Sequence, residues 1–596
     1  MVIHFKSLLF FLISLKHTRG FIIASWSRNL CLLPSNTSPG SCFSKCQRSV
    51  RFLLTEAEEF STEAIIVTDL TSMTNSSSSI SIENDKSVAI NEENRVHSAI
   101  YKLSQAALIG ILSGWSVGIF KLSIDAVRRF AYGSLLSQTP FLLPLIPALG
   151  GIAVGFLGLI GPFPPGLRGT VQAIDAATSS LLPTTQRING ETGGSLAFCR
   201  KTLAAICTLG TGCSLGPEGP SVEVGMSMSR IFTKIFPASN IVGSLEQQKS
   251  VSRLLLACGA ASGVSAGFNA PLAGVFFALE IMQRAFSELD SASTDFSTQS
   301  NGSTVVATAT SGNISAILLS SVLSALIAKA LLGDHLVFEL HEYTLRTPLV
   351  ELPLYLLLGA LSGLVAFGFS QAATISKSIF DGTAGPKSIR EVALKIPTAA
   401  KPFIGGLLCG LVGLAFPQIL FFGYETLNAL LANSSIPTAL LLSLLFVKVC
   451  MTAIAAGSGL VGGTFAPSLF MGGMVGASFH NIMSALFTYT STQGSVNDTL
   501  QLLASGAGPL VLELADVPAY AMVGAASVLA ALFRAPLTAS LLLFELSRDY
   551  DVILPLMASA GVASLVNDLV EQKFERLNRE KDAVSWGDLA DEKDSN

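Results

Sequence analysis

Residues 216–220 read Gly216-Pro217-Glu218-Gly219-Pro220, and residues 463–467 read Gly463-Thr464-Phe465-Ala466-Pro467. They stand in one register. Laying residues 199–225 on 446–472 at a constant offset of 247 puts Lys201 on Lys448, Gly210 on Gly457, Gly212 on Gly459 and Gly216 on Gly463. Pro220-Ser221 then falls on Pro467-Ser468, and Gly225 on Gly472. A second pair lies beside the first: Phe268-Asn269-Ala270-Pro271-Leu272, leading to Glu280, matches Phe533-Arg534-Ala535-Pro536-Leu537, leading to Glu545. Duplicated apolar segments interrupted by glycine and proline are the sequence sign of internal repeats with a binding site near the midplane between them. The register predicts two repeats, at about 100–285 and 314–572.

The rest of the chain fits lipid as its solvent. Half of the 596 residues are apolar, 13% are charged, and the mean hydropathy is +0.57. Soluble proteins carry roughly 25% charged residues. Apolar runs near the ~20 residues needed to cross a bilayer recur at 106–122, 141–160, 314–332, 352–369, 403–416 and 439–456. Glycines and prolines fall inside these runs as well as between them. Lipid tolerates broken helices only where the freed backbone is buried in protein or lines a watery cavity. The expected fold is therefore an all-α polytopic membrane protein built from two inverted repeats of broken and tilted helices.

Outside that domain the composition changes. Residues 1–55 carry Lys6, Lys16, Arg19, Arg28, Lys45, Arg48 and Arg51, many serines and no acid, a transit-peptide composition. The rival reading is a secretory signal, with Ser7-Leu8-Leu9-Phe10-Phe11-Leu12-Ile13-Ser14-Leu15 as its apolar core. Residues 56–99, acidic and serine-rich, read as a disordered linker. The membrane domain is expected over 100–572, with surface loops at 286–313 and 494–514, and a short charged tail at 573–596.

In each repeat, glycines lead into a proline placed just before an apolar stretch. Proline suits the first turn of a helix, where its missing N–H costs nothing. The N–H groups of such a turn are unpaired, and the helix dipole adds partial positive charge. Two helix starts aimed at one midplane point would hold an anion without a full positive charge, so the ion could still leave. Glycines let backbone approach the ion closely. The plainer reading is a set of kinked helices packing through small residues, and the pair in register weighs against it. Glu218 stands where the second repeat has Phe465. An ionisable residue inside a membrane segment is a functional candidate by default. Its carboxylate could occupy the anion site and leave it, acting as gate and proton acceptor in one group; a structural ion pair is the plainer alternative.

These segments, with Phe268-Asn269-Ala270-Pro271-Leu272-Ala273-Gly274 leading to Glu280, resemble the signature segments of the CLC family of chloride channels and anion/proton exchangers. Ala535-Pro536-Leu537, Asp549-Tyr550 and Ile553-Leu554-Pro555 extend the resemblance to the end of the membrane domain. It implies a homodimer with a separate pore in each subunit, and chloride or nitrate as the partner within a lipid bilayer. By position Glu218 resembles the family's gating glutamate. Thr464 and Phe465 resemble the residues whose N–H groups coordinate the anion, with Gly216, Gly219, Gly463 and Gly169 expected around it.

Four departures qualify the resemblance. An early Gly-Ser-Gly-Ile-Pro motif is represented by Pro165-Gly166-Leu167-Arg168-Gly169-Thr170-Val171. Arg168 and Thr170 are therefore candidates for setting chloride against nitrate. Where exchangers of the family carry a proton-passing glutamate just after Glu280, this chain has Ile281, which cannot titrate and favours a passive mechanism. The family's tyrosine in the last membrane helix is missing; Phe574 is the nearest aromatic, so the inner gate must be built differently. The pair of CBS domains that eukaryotic members of the family generally carry after the membrane domain is not expected here.

The leading expectation is a gated anion channel passing chloride, with nitrate as second candidate and Glu218 as gate. The alternative is an anion/proton exchanger in which Glu218 carries the proton, and a third is a non-conducting membrane scaffold. An enzyme is not expected, since the six histidines form no HExxH pair and no Walker loop is present. No cofactor or metal is expected either. Nine scattered cysteines give neither a disulfide framework nor a metal site, and a net charge of −4 suggests no nucleic-acid partner. The resemblance and the N-terminal composition favour a chloroplast membrane, the thylakoid among them, over an endomembrane.

Overall fold

All four Gly/Pro interruptions separate two helices. The computed structural model describes residues 81–135, 143–164, 195–236, 245–282, 311–333, 351–434, 436–492 and 514–593. Among these the secondary structure is helical, without strands. The chain divides into residues 1–91 and 92–596; of the first unit only 81–91 are described, as the start of a helix.

The helices of the first repeat are α1 (Ser81–Arg128), α2 (Leu145–Ile160), α3 (Ser195–Gly210), α4 (Glu218–Ile235), α5 (Leu245–Phe268) and α6 (Pro271–Phe277). Between the repeats lies α7 (Ser311–Leu332). Then follow α8 (Leu352–Phe380), α9 (Lys387–Lys395), α10 (Lys401–Ala415), α11 (Tyr424–Leu431) and α12 (Thr438–Gly457). The chain closes with α13 (Phe465–Thr492), α14 (Val517–Phe533), α15 (Pro536–Ser547) and α16 (Ile553–Lys593). Among the described residues, eight helices are long and apolar enough to cross a membrane. At 1.5 Å per residue, the 29 residues of α8 extend about 44 Å, against a hydrocarbon core of roughly 30 Å, so such a helix must tilt or protrude. Large apolar side chains such as Phe156, Leu159 and Phe446, each at least 65% exposed, cover the outside as lipid contact requires.

One expectation needs correcting. The segment 56–99 reads as linker, yet α1 begins at Ser81. Polar residues of this kind tolerate a helix, and residues 81–99 of that segment are helical. Residues 1–80, including the transit-type region, lie outside the described residues, as do most of the two expected loops. The charged segment after 572 continues α16.

The two repeats match in backbone detail. Gly212 and Gly459, equivalent by register, both take left-handed φ (+90° and +93°), a conformation glycine adopts without a Cβ penalty. Asn269 and Arg534 likewise share φ of +56° and +53° at the two Ala-Pro breaks. α4 crosses α5 at Gly225, where a Cβ would come within 2.1 Å of the Gly259 carbonyl. α13 crosses α14 at Gly472, 2.3 Å from the Gly524 carbonyl by the same construction. Lys201 pairs with Glu223 at 2.7 Å; its counterpart Lys448 sits 5.1 Å from the centre of the Phe470 ring, which replaces Glu223 in register. The core centres on α14, buried along nearly its whole length and packed against α8, α13 and α16.

The repeats also lock into each other. Leu272 and Ala273, in the first turn of α6, donate their N–H groups to Glu545 at 2.8 Å each. Thr538, in the first turn of α15, donates its N–H at 2.9 Å and its hydroxyl at 2.8 Å to Glu280. Each glutamate thus caps a helix of the other repeat.

Candidate functional site

Of the four helix starts at the paired Gly/Pro breaks, those of α6 and α15 are capped by glutamates. The remaining two, of α4 and α13, meet. Gly216 and Gly463 exchange backbone hydrogen bonds, N–H to O at 2.8 Å and 2.7 Å, an antiparallel pair on the local two-fold between repeats. A Cβ on Gly463 would stand 2.7 Å from the Gly219 nitrogen, and one on Gly219 would stand 2.9 Å from the Gly463 Cα. This contact admits only glycine on either side. It brings the first turn of each helix against the other.

Glu218 opens α4 and is 2% exposed. Its Oε1 accepts a hydrogen bond from the hydroxyl of Tyr424. Its Oε2 makes no hydrogen bond of standard geometry. That oxygen lies over Gly216, where an added Cβ would be 2.5 Å from Oε2 and 3.2 Å from the Ala466 nitrogen. The carboxylate thus rests at the start of α13, beside first-turn N–H groups that lack intrahelical partners. A negative group is held there by dipoles and one hydroxyl.

Phe465 begins α13. Its ring stacks on Phe533 at 3.9 Å between centroids, with Phe268 and Phe277 at 6.2 Å and 6.1 Å. Phe268 and Phe533 are repeat equivalents, so an aromatic cluster seals the apolar side of the site. Next to it lies a cavity of about 190 Å³, lined among others by Gly219, Glu223, Ile281, Gly463, Thr464 and Phe465. A water needs roughly 10–15 Å³ on this measure, so the cavity has room for an ion with some of its hydration.

The structure therefore brings Gly216, Glu218, Gly219, Gly463, Thr464 and Phe465 together, with Ile281 on the cavity wall. Arg168, Gly169 and Thr170 lie outside the described residues. Phe574 is elsewhere, packed edge-on to Phe367 at 5.6 Å. The tyrosine at the carboxylate is Tyr424, at the start of α11 behind the left-handed Gly423, which sequence reasoning missed. A tyrosine after a glycine in a break between apolar runs is a weak signal. Lys121 was also missed, and there the signal was strong, because a lysine inside the run 106–122 is an intramembrane charge. Its amino group donates to the Gly267 carbonyl at the end of α5.

Inverted repeats of broken helices, with two helix starts closing on one carboxylate, define a class of membrane protein whose midplane site suits a small anion. The family model described as voltage gated chloride channel matches residues 176–568, and the chain belongs to that family. It is 35% identical over 480 residues to chloride channel protein CLC-e of Arabidopsis thaliana, covering 78% of this chain and 59% of that protein. It is 33% identical over 496 residues to CLC-f of the same plant, covering 80% and 55%. The chain thus spans somewhat over half the length of these two relatives. Among solved structures, a slow cyanobacterial Cl−/H+ antiporter superposes with a TM-score of 0.56 at 26% identity, covering 79% of this chain and 94% of that one.

Proposed function

We propose that the chain forms a gated anion pathway, one per subunit of a homodimer, through which chloride passes down its electrochemical gradient with Glu218 as the gate. The observation that carries this reading is the seat of the Glu218 carboxylate. It occupies the place between two helix starts that a monovalent anion would take, so anion and carboxylate compete for one position. Ile281 supports a passive mechanism, since its side chain cannot titrate. Nitrate remains in the substrate class, as a monovalent anion of the same charge. The relatives CLC-e and CLC-f, together with the basic, serine-rich start of the chain, support a chloroplast membrane, with the thylakoid as the specific assignment. There anion flow would offset charge moved by proton pumping.

A second reading, anion/proton exchange, is supported by the likeness to the cyanobacterial antiporter and by Glu223 on the cavity wall beside Ile281. One measurement separates the two. In reconstituted vesicles, the channel reading expects a reversal potential set by chloride alone, whereas a shift with the proton gradient supports the exchanger. Glu218→Gln should raise flux and remove its pH dependence. If the wild-type chain carries no anion flux and Glu218→Gln changes nothing, the gate assignment is overturned.

A further inference from the structure

Lys121 is an intramembrane cation to which the gate as described gives no task. It lies within the spanning segment Ala99–Gly133, and its amino group donates to the carbonyl of Gly267. Gly267 packs against the first turn of α4: a Cβ there would be 3.6 Å from Cβ and 3.9 Å from Oγ of Ser221, three residues beyond Glu218. One turn before Lys121, Val117 is buried in a cluster with Val224 of α4 and Ala266 of α5. Helix α1 therefore lays the ammonium in the corner between α4 and α5, beside the turn that carries the gate. Among the described residues, Glu218 and, more weakly, Asp125 on its own helix act on it electrostatically. The residue preceding Glu218 is Pro217, which offers neither charge nor donor.

Among the described residues, Tyr424 is the side chain that donates to the seated carboxylate. When an anion enters at a pH that keeps the carboxylate ionised, the group displaced from the two helix starts needs a new partner. A carboxylate displaced into low-dielectric surroundings without a partner is strongly disfavoured, so opening requires a second cationic or donor position within reach of a side-chain rotation.

We propose that Lys121 is that position: the ammonium in the corner of α4 and α5 receives the Glu218 carboxylate when an anion displaces it from the helix starts. Tyr424 then holds the closed state and Lys121 the open one, and the side chain exchanges a hydroxyl for an ammonium. Anion entry is thereby accompanied by an ion pair forming inside the protein, so the displaced carboxylate is not left unpaired. Lys121 is a positioning residue acting through Glu218, and this inference rests on the gate reading above.

The test is a double-mutant cycle on the full chain, with chloride affinity measured by titration calorimetry in detergent and by chloride dependence of flux in vesicles. Lys121→Gln keeps a donor for the Gly267 carbonyl and removes the charge. It should weaken chloride at least 10-fold, while Lys121→Arg stays within about 2-fold of wild type; the threshold follows the usual size of coupling between contacting groups. In a Glu218→Gln background the effect of Lys121→Gln should fall below about 2-fold. An equal loss in both backgrounds would overturn the proposal, because Lys121 would then act on the anion directly or only through the end of α5. Unchanged affinity in Lys121→Gln would overturn it as well. Absence of chloride binding in the wild-type chain would instead overturn the gate reading, and this inference with it. If Lys121→Gln does not fold, Lys121→Arg decides the matter, since a 10-fold weakening there contradicts a role that needs only the cation.

Discussion

Replacing Tyr424 by Phe removes one hydroxyl and little volume. That hydroxyl supplies the one hydrogen bond of standard geometry that the Glu218 side chain makes among the described residues. A hydrogen bond to a charged group contributes about 1.5–3 kcal/mol. Taking ~2 kcal/mol, with 1.4 kcal/mol per factor of ten, the seated carboxylate loses roughly 30-fold in its competition with chloride. The expected outcome is a chloride concentration for half-maximal flux about 30-fold lower in Tyr424→Phe than in wild type. The fraction of closed protein at zero chloride should fall in parallel. The assay is efflux from vesicles across a chloride titration, with calorimetric binding as an independent measure. In a Glu218→Ala background the same substitution should move the half-saturation point by less than about 2-fold. An unchanged or raised half-saturation point in the otherwise wild-type chain would refute the latch. An undiminished shift in the Glu218→Ala background would show that Tyr424 acts on the anion instead.

Other consequences follow from the same geometry. Gly463→Ala drives a Cβ into the Gly219 backbone; it should lower stability by about 1–3 kcal/mol, the usual range for overpacking, and abolish calorimetric chloride binding. Glu545→Ala and Glu280→Ala each uncap a helix of the opposite repeat. Each should lower thermal stability in detergent by about 2 kcal/mol, and a large inequality between the two would contradict the pseudo-symmetric exchange. Lys201→Met strands Glu223 beside the cavity and should cost roughly 3 kcal/mol, whereas Lys201→Met with Glu223→Gln should recover at least half. Equal losses in the single and double variants would remove the ion pair as the cause.

The sequence reveals the repeats because glycine and proline are needed where backbones touch or helices begin. The Gly212/Gly459 and Pro271/Pro536 matches report local backbone shape directly. The meeting of the two helix starts was legible for the same reason, with Glu218 standing out as a charge where Phe465 stands in the other half. Tyr424 was not legible, since its meeting with Glu218 joins positions 206 residues apart and no periodicity reports such a meeting. Phe574, the aromatic nearest along the chain to the place of the missing tyrosine, packs on Phe367, and the tyrosine at the Glu218 carboxylate is Tyr424. The start of α1 was misread because polar, acidic composition fits both a linker and the exposed first turns of a helix.

The exchanged caps also bear on how the chain is made. The first turn of α6 is complete only when Glu545, more than 270 residues later, has been synthesised and brought beside it. Until then the amino-terminal half must enter the membrane with open N–H groups at Leu272 and Ala273, a state that invites holding by insertion machinery rather than early release. By the same token, a polypeptide severed between the repeats would yield two fragments that are incomplete alone and mutually curing when produced together. Covalent continuity would then matter less to the finished protein than the simultaneous presence of both glutamates.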